Sequence, residues 1–544
     1  MTIASRFLIG FFVLVLLGLP GFGQSSMPLS TPSEAPASGT PAPGQSLADI
    51  ARSMRKNKQA EVQMTPADAK ELFQQVDQIF EFASDDTGLA RRAPIKRRLI
   101  SESDVEKFFK ERLAKQEYAQ RFARAELTMK KFGLLPRDFD LREFLVKANG
   151  QQVAGFYDDE TKVISLLNWI PIEQQEPILA HELTHALQDQ NFDLRNWAKA
   201  GMRPARANGR FQIEDEESVS ARRAVAEGQA MVVYYDYLLA PMNRTLKDTP
   251  GIVASMEDPA VTAAIDTPIM HNAPIVLRES GTFPYRDGLF FEAALLEHGG
   301  KQLAFTGALA HPPRSTHEVL QPDAYLTGEK LAGLHVPDLR PIVSGKYELY
   351  DSGAFGELDV RALLKQYGEK RAAADLTPAW RGGAYVAFRK TGASVIPGSA
   401  GSPADVAMIY ISRWRTADAA QKFAKLYAAA VAKRYKTAQP KSTTTCSGTC
   451  ALGTEISTEE GPVIIEAWAD NTLVISESFD ETTAGQLRDA VLDKGTEQSA
   501  DLISPQELSL RLYELPAFRE FSMGLQARIL GATVTELRKT QSRR

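Results

Sequence analysis

Ile178-Leu179-Ala180-His181-Glu182-Leu183-Thr184-His185-Ala186-Leu187 is the stretch from which the rest of this chain is best read. Its apolar residues Ile178, Leu179, Leu183, Ala186 and Leu187 recur at helical spacing, which predicts a helix beginning near Glu176-Pro177. On a helix, residues four apart project from one face, so the imidazoles of His181 and His185 can reach one cation while Leu183 points into the core. Glu182 then lies beside the open coordination position, where it can take a proton from water. Zinc suits such a site: it accepts imidazoles and a carboxylate tetrahedrally, leaves a fourth place open, and lowers the pKa of a bound water to about 7. The ordinary alternative is two histidines on a solvated helix face.

A third ligand must come from elsewhere. A histidine six residues after His185 would stand at position 191, and Asn191 is there instead. A glutamate from a later helix is the other solution. Glu227, in Ala224-Val225-Ala226-Glu227-Gly228-Gln229-Ala230, is the best candidate because its small neighbours let that helix approach the histidine helix closely. The gap from His185 is 227 − 185 = 42 residues, enough for a loop and a helix. Glu214, Asp215, Glu216 and Glu217 open the same helix, expected over 214–239, and as an acidic cluster there they complement its dipole.

Upstream, Leu141–Lys147 and Val153–Tyr157 around an Asn149-Gly150 turn read as a hairpin, with Val163–Leu167 as a third strand. A β-meander is thus expected to lead into the histidine helix. Further back, Thr65-Pro66-Ala67-Asp68 reads as an N-cap with proline at the first helical position, and a second helix is expected over 103–132. Past residue 376 the period changes again. Strands at 384–388, 407–411, 463–468 and 472–476 alternate with helices at 416–435 and 481–492. The expected organisation is a signal peptide over 1–23, a Pro/Ser/Ala-rich flexible linker over 24–63, and a metal-binding domain over 64–375. A smaller α+β domain over 376–500 and a helical tail over 501–544 complete it.

The bulk numbers fit this picture. The 544 residues are too many for one small core, and 44% hydrophobic with 24% charged content is that of globular protein. A net charge of −5, with the two signs interspersed, argues against a nucleic-acid partner. Arg6, the apolar run 7–19 and the exit Gly21-Phe22-Gly23 read as a secretory signal; the run is shorter than the ~20 residues that span a bilayer. No later segment is apolar enough to span, so a secreted or periplasmic location is expected. The chain's two cysteines, Cys446 and Cys450, are expected to close a small disulfide loop.

Ile178–Gln190, followed by Glu227-Gly228-Gln229-Ala230, resembles a group of secreted bacterial and archaeal proteins of the gluzincin (thermolysin-like) superfamily. The similarity extends through Tyr285-Arg286-Asp287-Gly288, Gly299-Gly300 and Pro312-Pro313-Arg314-Ser315-Thr316-His317-Glu318, to Trp414 and Asp418-Ala419. The resemblance implies an α+β fold with a zincin-like catalytic domain, one zinc ion on His181, His185 and Glu227, and Glu182 as general base in hydrolysis of a peptide or protein substrate. Enzymes of this kind carry an acidic residue four positions after the ligand glutamate to support a ligand histidine. Met231 stands there, so Asp189 is the candidate replacement. For the oxyanion donor, Tyr285 leads His298, His311 and His317, with Tyr234 and Tyr235 behind them. Two readings stand beside this one: a zincin scaffold with little turnover that serves as an envelope binding protein, and a zinc amidohydrolase acting on a non-peptide amide.

Overall fold

The computed structural model describes residues 64–493 except 102, 105–115, 150–155, 170–171, 201–213, 256–270, 330, 332–333, 335, 369–370, 394–400 and 442–447. The expected signal peptide, linker, C-terminal tail and Cys446 therefore lie outside the described residues.

The first helix, α1 (Pro66–Thr87), starts where its capping box requires: Thr65 accepts from the Asp68 amide, Asp68 accepts from the Thr65 amide, and Pro66 occupies the first turn. Leu72, Val76, Ile79 and Phe80 form its buried face. Strand β1 (Lys96–Ile100) and helix α2 (Gln116–Phe132) follow. The segment expected to open a hairpin is instead helix α3 (Leu141–Asn149). Leu141 and Leu145, four apart, are both fully buried, and Asp140 caps the first turn by accepting from the Glu143 amide at 2.7 Å. The meander is correspondingly smaller. Strand β2 (Phe156–Asp158) pairs antiparallel with β3 (Val163–Leu167), and β1 pairs parallel with β3, giving the order β1-β3-β2.

Helix α4 (Ile172–Phe192) carries the histidine motif and begins a turn earlier than expected. Gln175 makes that turn possible by hydrogen-bonding both the amide and the carbonyl of Leu167 at the end of β3. Helix α5 (Glu214–Leu239) has the bounds read from the sequence. It packs between α4 and α6 (Ile275–Gln302). A Cβ on Gly228 of α5 would lie 2.4 Å from the Gly288 oxygen of α6, and one on Gly288 would lie 2.3 Å from the Ala224 oxygen. The small residues around Glu227 therefore serve the crossing with α6, as well as the approach to α4.

The C-terminal sheet has seven strands in the order β4-β5-β6-β10-β9-β8-β7, all neighbours antiparallel. They are β4 (Tyr347–Ala354), β5 (Trp380–Lys390), β6 (Val406–Trp414), β7 (Ala438–Pro440), β8 (Cys450–Thr458), β9 (Gly461–Trp468) and β10 (Thr472–Glu477). Its first strand precedes residue 376, where the sequence places the start of the accessory domain. Helix α7 (Glu357–Tyr367) follows β4, α8 (Ala417–Arg434) follows β6, and α9 (Glu481–Leu492) follows β10. Side chains alternate between faces: Ala384, Val386 and Phe388 of β5 pack with Leu487 and Val491 of α9, whereas Tyr385 and Ala387 join the larger core. That larger core runs without a break from α1 to the sheet. Phe132 of α2 stacks on Phe355 at 4.3 Å between centroids and meets Tyr385 and Tyr410 edge-on. The architecture is α+β. Cys450 is disulfide-bonded. Among the described residues no helix is long and apolar enough to cross a membrane.

Candidate metal centre

His181 and His185 lie one turn apart on α4, and α5 brings Glu227 to them. The Nε2 atoms are 3.1 Å apart; Glu227 Oε2 is 3.3 Å from His181 Nε2 and 3.2 Å from His185 Nε2. Among the described residues this trio is the one group of three or more metal-ligating side chains whose ligand atoms converge. A tetrahedral zinc with bonds of about 2.0–2.1 Å separates neighbouring ligand atoms by about 3.3–3.4 Å. The triangle, with edges of 3.1, 3.2 and 3.3 Å, is close to that size.

The outer contacts orient the His185 ring. Gln188, one turn after His185, donates from Nε2 to the Ala226 carbonyl at 3.0 Å and to Gln229 Oε1 at 2.9 Å. Its Oε1 therefore faces His185 Nδ1, at 2.9 Å, and that nitrogen carries the hydrogen. Gln229 in turn donates to the carbonyls of Ala304 and Phe305. His181 leans on the backbone of Ala230. With Nδ1 of His185 committed to Gln188, its Nε2 faces Glu227 Oε2 and His181 Nε2, a convergence that would suit a cation. Asp189 does not support a ligand histidine. Its oxygens are taken by the Tyr157 hydroxyl, by Lys162 Nζ and by the Leu194 amide.

Titration follows this crowding. Burial pulls His181 down to about 4. Burial acts the same way on His185, but the Glu227 carboxylate outweighs it and pushes that ring up to about 9. Glu227, against burial, is held well below the ordinary carboxylate range by His185 and His181. Glu182 is 4% exposed, and burial pushes it up to about 7, opposed by His185 and by the Tyr157 amide that donates to its Oε2 at 2.8 Å.

The oxyanion candidates separate. Tyr285, fully buried on α6, lies against His181 with ring centroids 6.4 Å apart. His298 and His311 are exposed. His317 is buried elsewhere, its Nδ1 on Glu357 at the start of α7. Tyr234 and Tyr235 are buried edge-to-face against each other, 5.2 Å apart. Glu217 is a buried acceptor for the amide and hydroxyl of Thr316 and has no part in the trio. The side chains of Glu214, Asp215 and Glu216 lie outside the described residues. Asn191 ties α4 to the preceding loop through the Ala90 carbonyl and Arg92.

Residues 347–487 match a family model described as a domain of unknown function, DUF8575. The match spans the sheet from β4 through β10 and half of α9. No curated protein and no solved structure matches the chain.

Sequence reasoning missed Gln188 and Tyr157. Gln188 was within reach, since residues i and i+3 share a helix face; the Tyr157 amide, a backbone group, carries no sequence signal.

Proposed function

We propose that this chain is an exported zinc metallopeptidase of the gluzincin (thermolysin-like) kind, with a zincin-like catalytic region built on α4 and α5. The observation that carries the reading is the triangle of His181 Nε2, His185 Nε2 and Glu227 Oε2, with edges of 3.1–3.3 Å, beside the buried carboxylate of Glu182. Zinc bound there supplies Lewis-acid polarisation of the scissile carbonyl and acidifies a water. Glu182 is the base: its carboxylate removes a proton from the attacking water and returns it to the departing amine nitrogen. Its other oxygen is held by the Tyr157 amide, so the group is oriented before substrate arrives. Arg223, one turn before Glu227 with its guanidinium 3.8 Å from Glu227 Oε1, steadies the outer oxygen of that ligand. Tyr285 is the oxyanion candidate that stays beside the ligands. Export rests on the N-terminal apolar run and accords with a disulfide at Cys450, a bond favoured in oxidising compartments.

Metal analysis of the purified protein, with a broad peptide-hydrolysis assay, tests the reading. One zinc per chain is expected, lost in His181→Ala, His185→Ala and Glu227→Ala. Glu182→Gln should keep the zinc and lose about 10²–10⁴-fold in rate. A wild type that binds no zinc, or a Glu182→Gln variant as active as wild type, sinks it.

A further inference from the structure

Asp189 lies seven residues after Glu182 on α4, two helical turns or about 10 Å along the axis, and on the same side. Tyr157 of the edge strand β2 bridges that interval. Its amide donates to Glu182 Oε2 at 2.8 Å, and its hydroxyl donates to Asp189 Oδ2 at 2.7 Å. Strand β2 has three residues and, among the described residues, a partner strand on one side only, so its own ladder is too short to hold it firmly. The turn that follows contributes the second hold. Asp158 accepts from the Glu160 amide and the Thr161 hydroxyl, and the turn closes with Lys162 in the left-handed region at φ +58. That backbone conformation is unfavourable for a lysine. Here it places the ammonium 2.7 and 2.6 Å from the two Asp189 oxygens. The Asp189 side chain is 2% exposed, and with the Leu194 amide it receives three donors. It is the anchor on which both ends of the β2 turn converge.

We propose that Tyr157, Lys162 and Asp189 form a clamp that fixes β2 on α4, so that the Tyr157 amide orients the Glu182 carboxylate. Tyr157 and Asp189 are then positioning residues for the hydrolysis, a role that rests on the metallopeptidase reading; the clamp itself does not.

Hydrogen exchange in the full-length protein separates the two. Tyr157→Phe removes one hydroxyl and Asp189→Asn removes the charge that holds Lys162. In each variant the amide of residue 157 should exchange about ten-fold faster or more, with the α4 amides of Leu183 and Leu187 unchanged. Zinc content and KM should stay at wild-type values while kcat falls about ten-fold or more. Unchanged exchange at residue 157 in both variants overturns the clamp. Loss of protection throughout α4 also overturns it, since the trio would then be ordinary packing. With the clamp seen by exchange, a kcat equal to that of wild type overturns the positioning role. A wild type that hydrolyses no peptide refutes the metallopeptidase reading instead, and exchange still decides the clamp.

Discussion

Replacing Gly228 with alanine tests whether the α5–α6 crossing sets the position of Glu227. The new methyl would lie 2.4 Å from the Gly288 oxygen, 2.5 Å from its carbonyl carbon and 3.0 Å from Glu292 Cγ. Ordinary van der Waals contact starts at 3.4 Å, so the shortfall against the oxygen is 3.4 − 2.4 = 1.0 Å. Backbone on both sides of a contact cannot rotate away as a side chain can, and the helices must part by about that distance. Alanine is the better helix former by about 1 kcal/mol, whereas over-packing costs about 1–3 kcal/mol. The net expectation is a loss of up to about 2 kcal/mol. Glu227 is the adjacent residue, and metal sites tolerate displacements of about 0.2 Å, so zinc affinity should fall about 10–100-fold. Thermal melts followed by circular dichroism and zinc titration against a chromophoric chelator measure the two effects. Gly485→Ala is the control: it is interior to α9 and its nearest neighbour would be 3.8 Å away, so alanine there should stabilise by about 0.5–1 kcal/mol. A Gly228→Ala protein that melts and binds zinc like wild type would show that this contact does not locate α5.

Asp236 is raised to about 7, by burial first and then by the neighbouring Asp86 carboxylate. The native state therefore holds a proton that the unfolded chain gives up near pH 4, so stability should fall as pH rises from about 4 to 7, with a slope approaching 1.4 kcal/mol per unit. Asp236→Asn should flatten that slope in melts taken between pH 5 and 8, and parallel profiles would refute the assignment. Glu292 is fully buried, neither carboxylate oxygen is hydrogen-bonded among the described residues, and burial pushes it well above its ordinary value. Glu292→Met should raise the melting midpoint by the equivalent of about 1–3 kcal/mol, most visibly above pH 7. Arg434, which reaches Glu477 at 2.7 Å with both side chains at most 1% exposed, is the opposite case: Arg434→Met leaves Glu477 the Tyr427 and Tyr435 hydroxyls but removes its buried guanidinium, which should cost about 3 kcal/mol, and a midpoint within a degree of wild type would contradict this.

Local spacing alone located much of the molecule. The interval of four between His181 and His185 determines that both imidazoles share a face whenever the segment is helical, and burial of Leu179, Leu183 and Leu187 made it helical. The capping pattern Thr65–Asp68 and the period-two strands 384–388 and 407–411 are equally local, and the structure has them. Leu141–Asn149 was legible as well: Asp140 three residues before Glu143 is a helix-start pattern, although the following Asn149-Gly150 signals a turn. Tertiary structure decided the rest, through contacts that composition does not encode. Glu227 could be proposed from its small neighbours, but only the packing of α5 between α4 and α6 brings its oxygen within 3.3 Å of both histidines. Asp189 has the spacing to support His185, yet Tyr157 and Lys162 claim it because β2 and its turn fold onto that side of α4. The support of the His185 ring is Gln188, itself oriented by the Ala226 carbonyl. Main-chain groups are the same at every residue, so no residue pattern announces them. Strand β4 joins a sheet whose other members begin at Trp380; such pairing depends on distant chain meeting in space, which local periodicity cannot reveal.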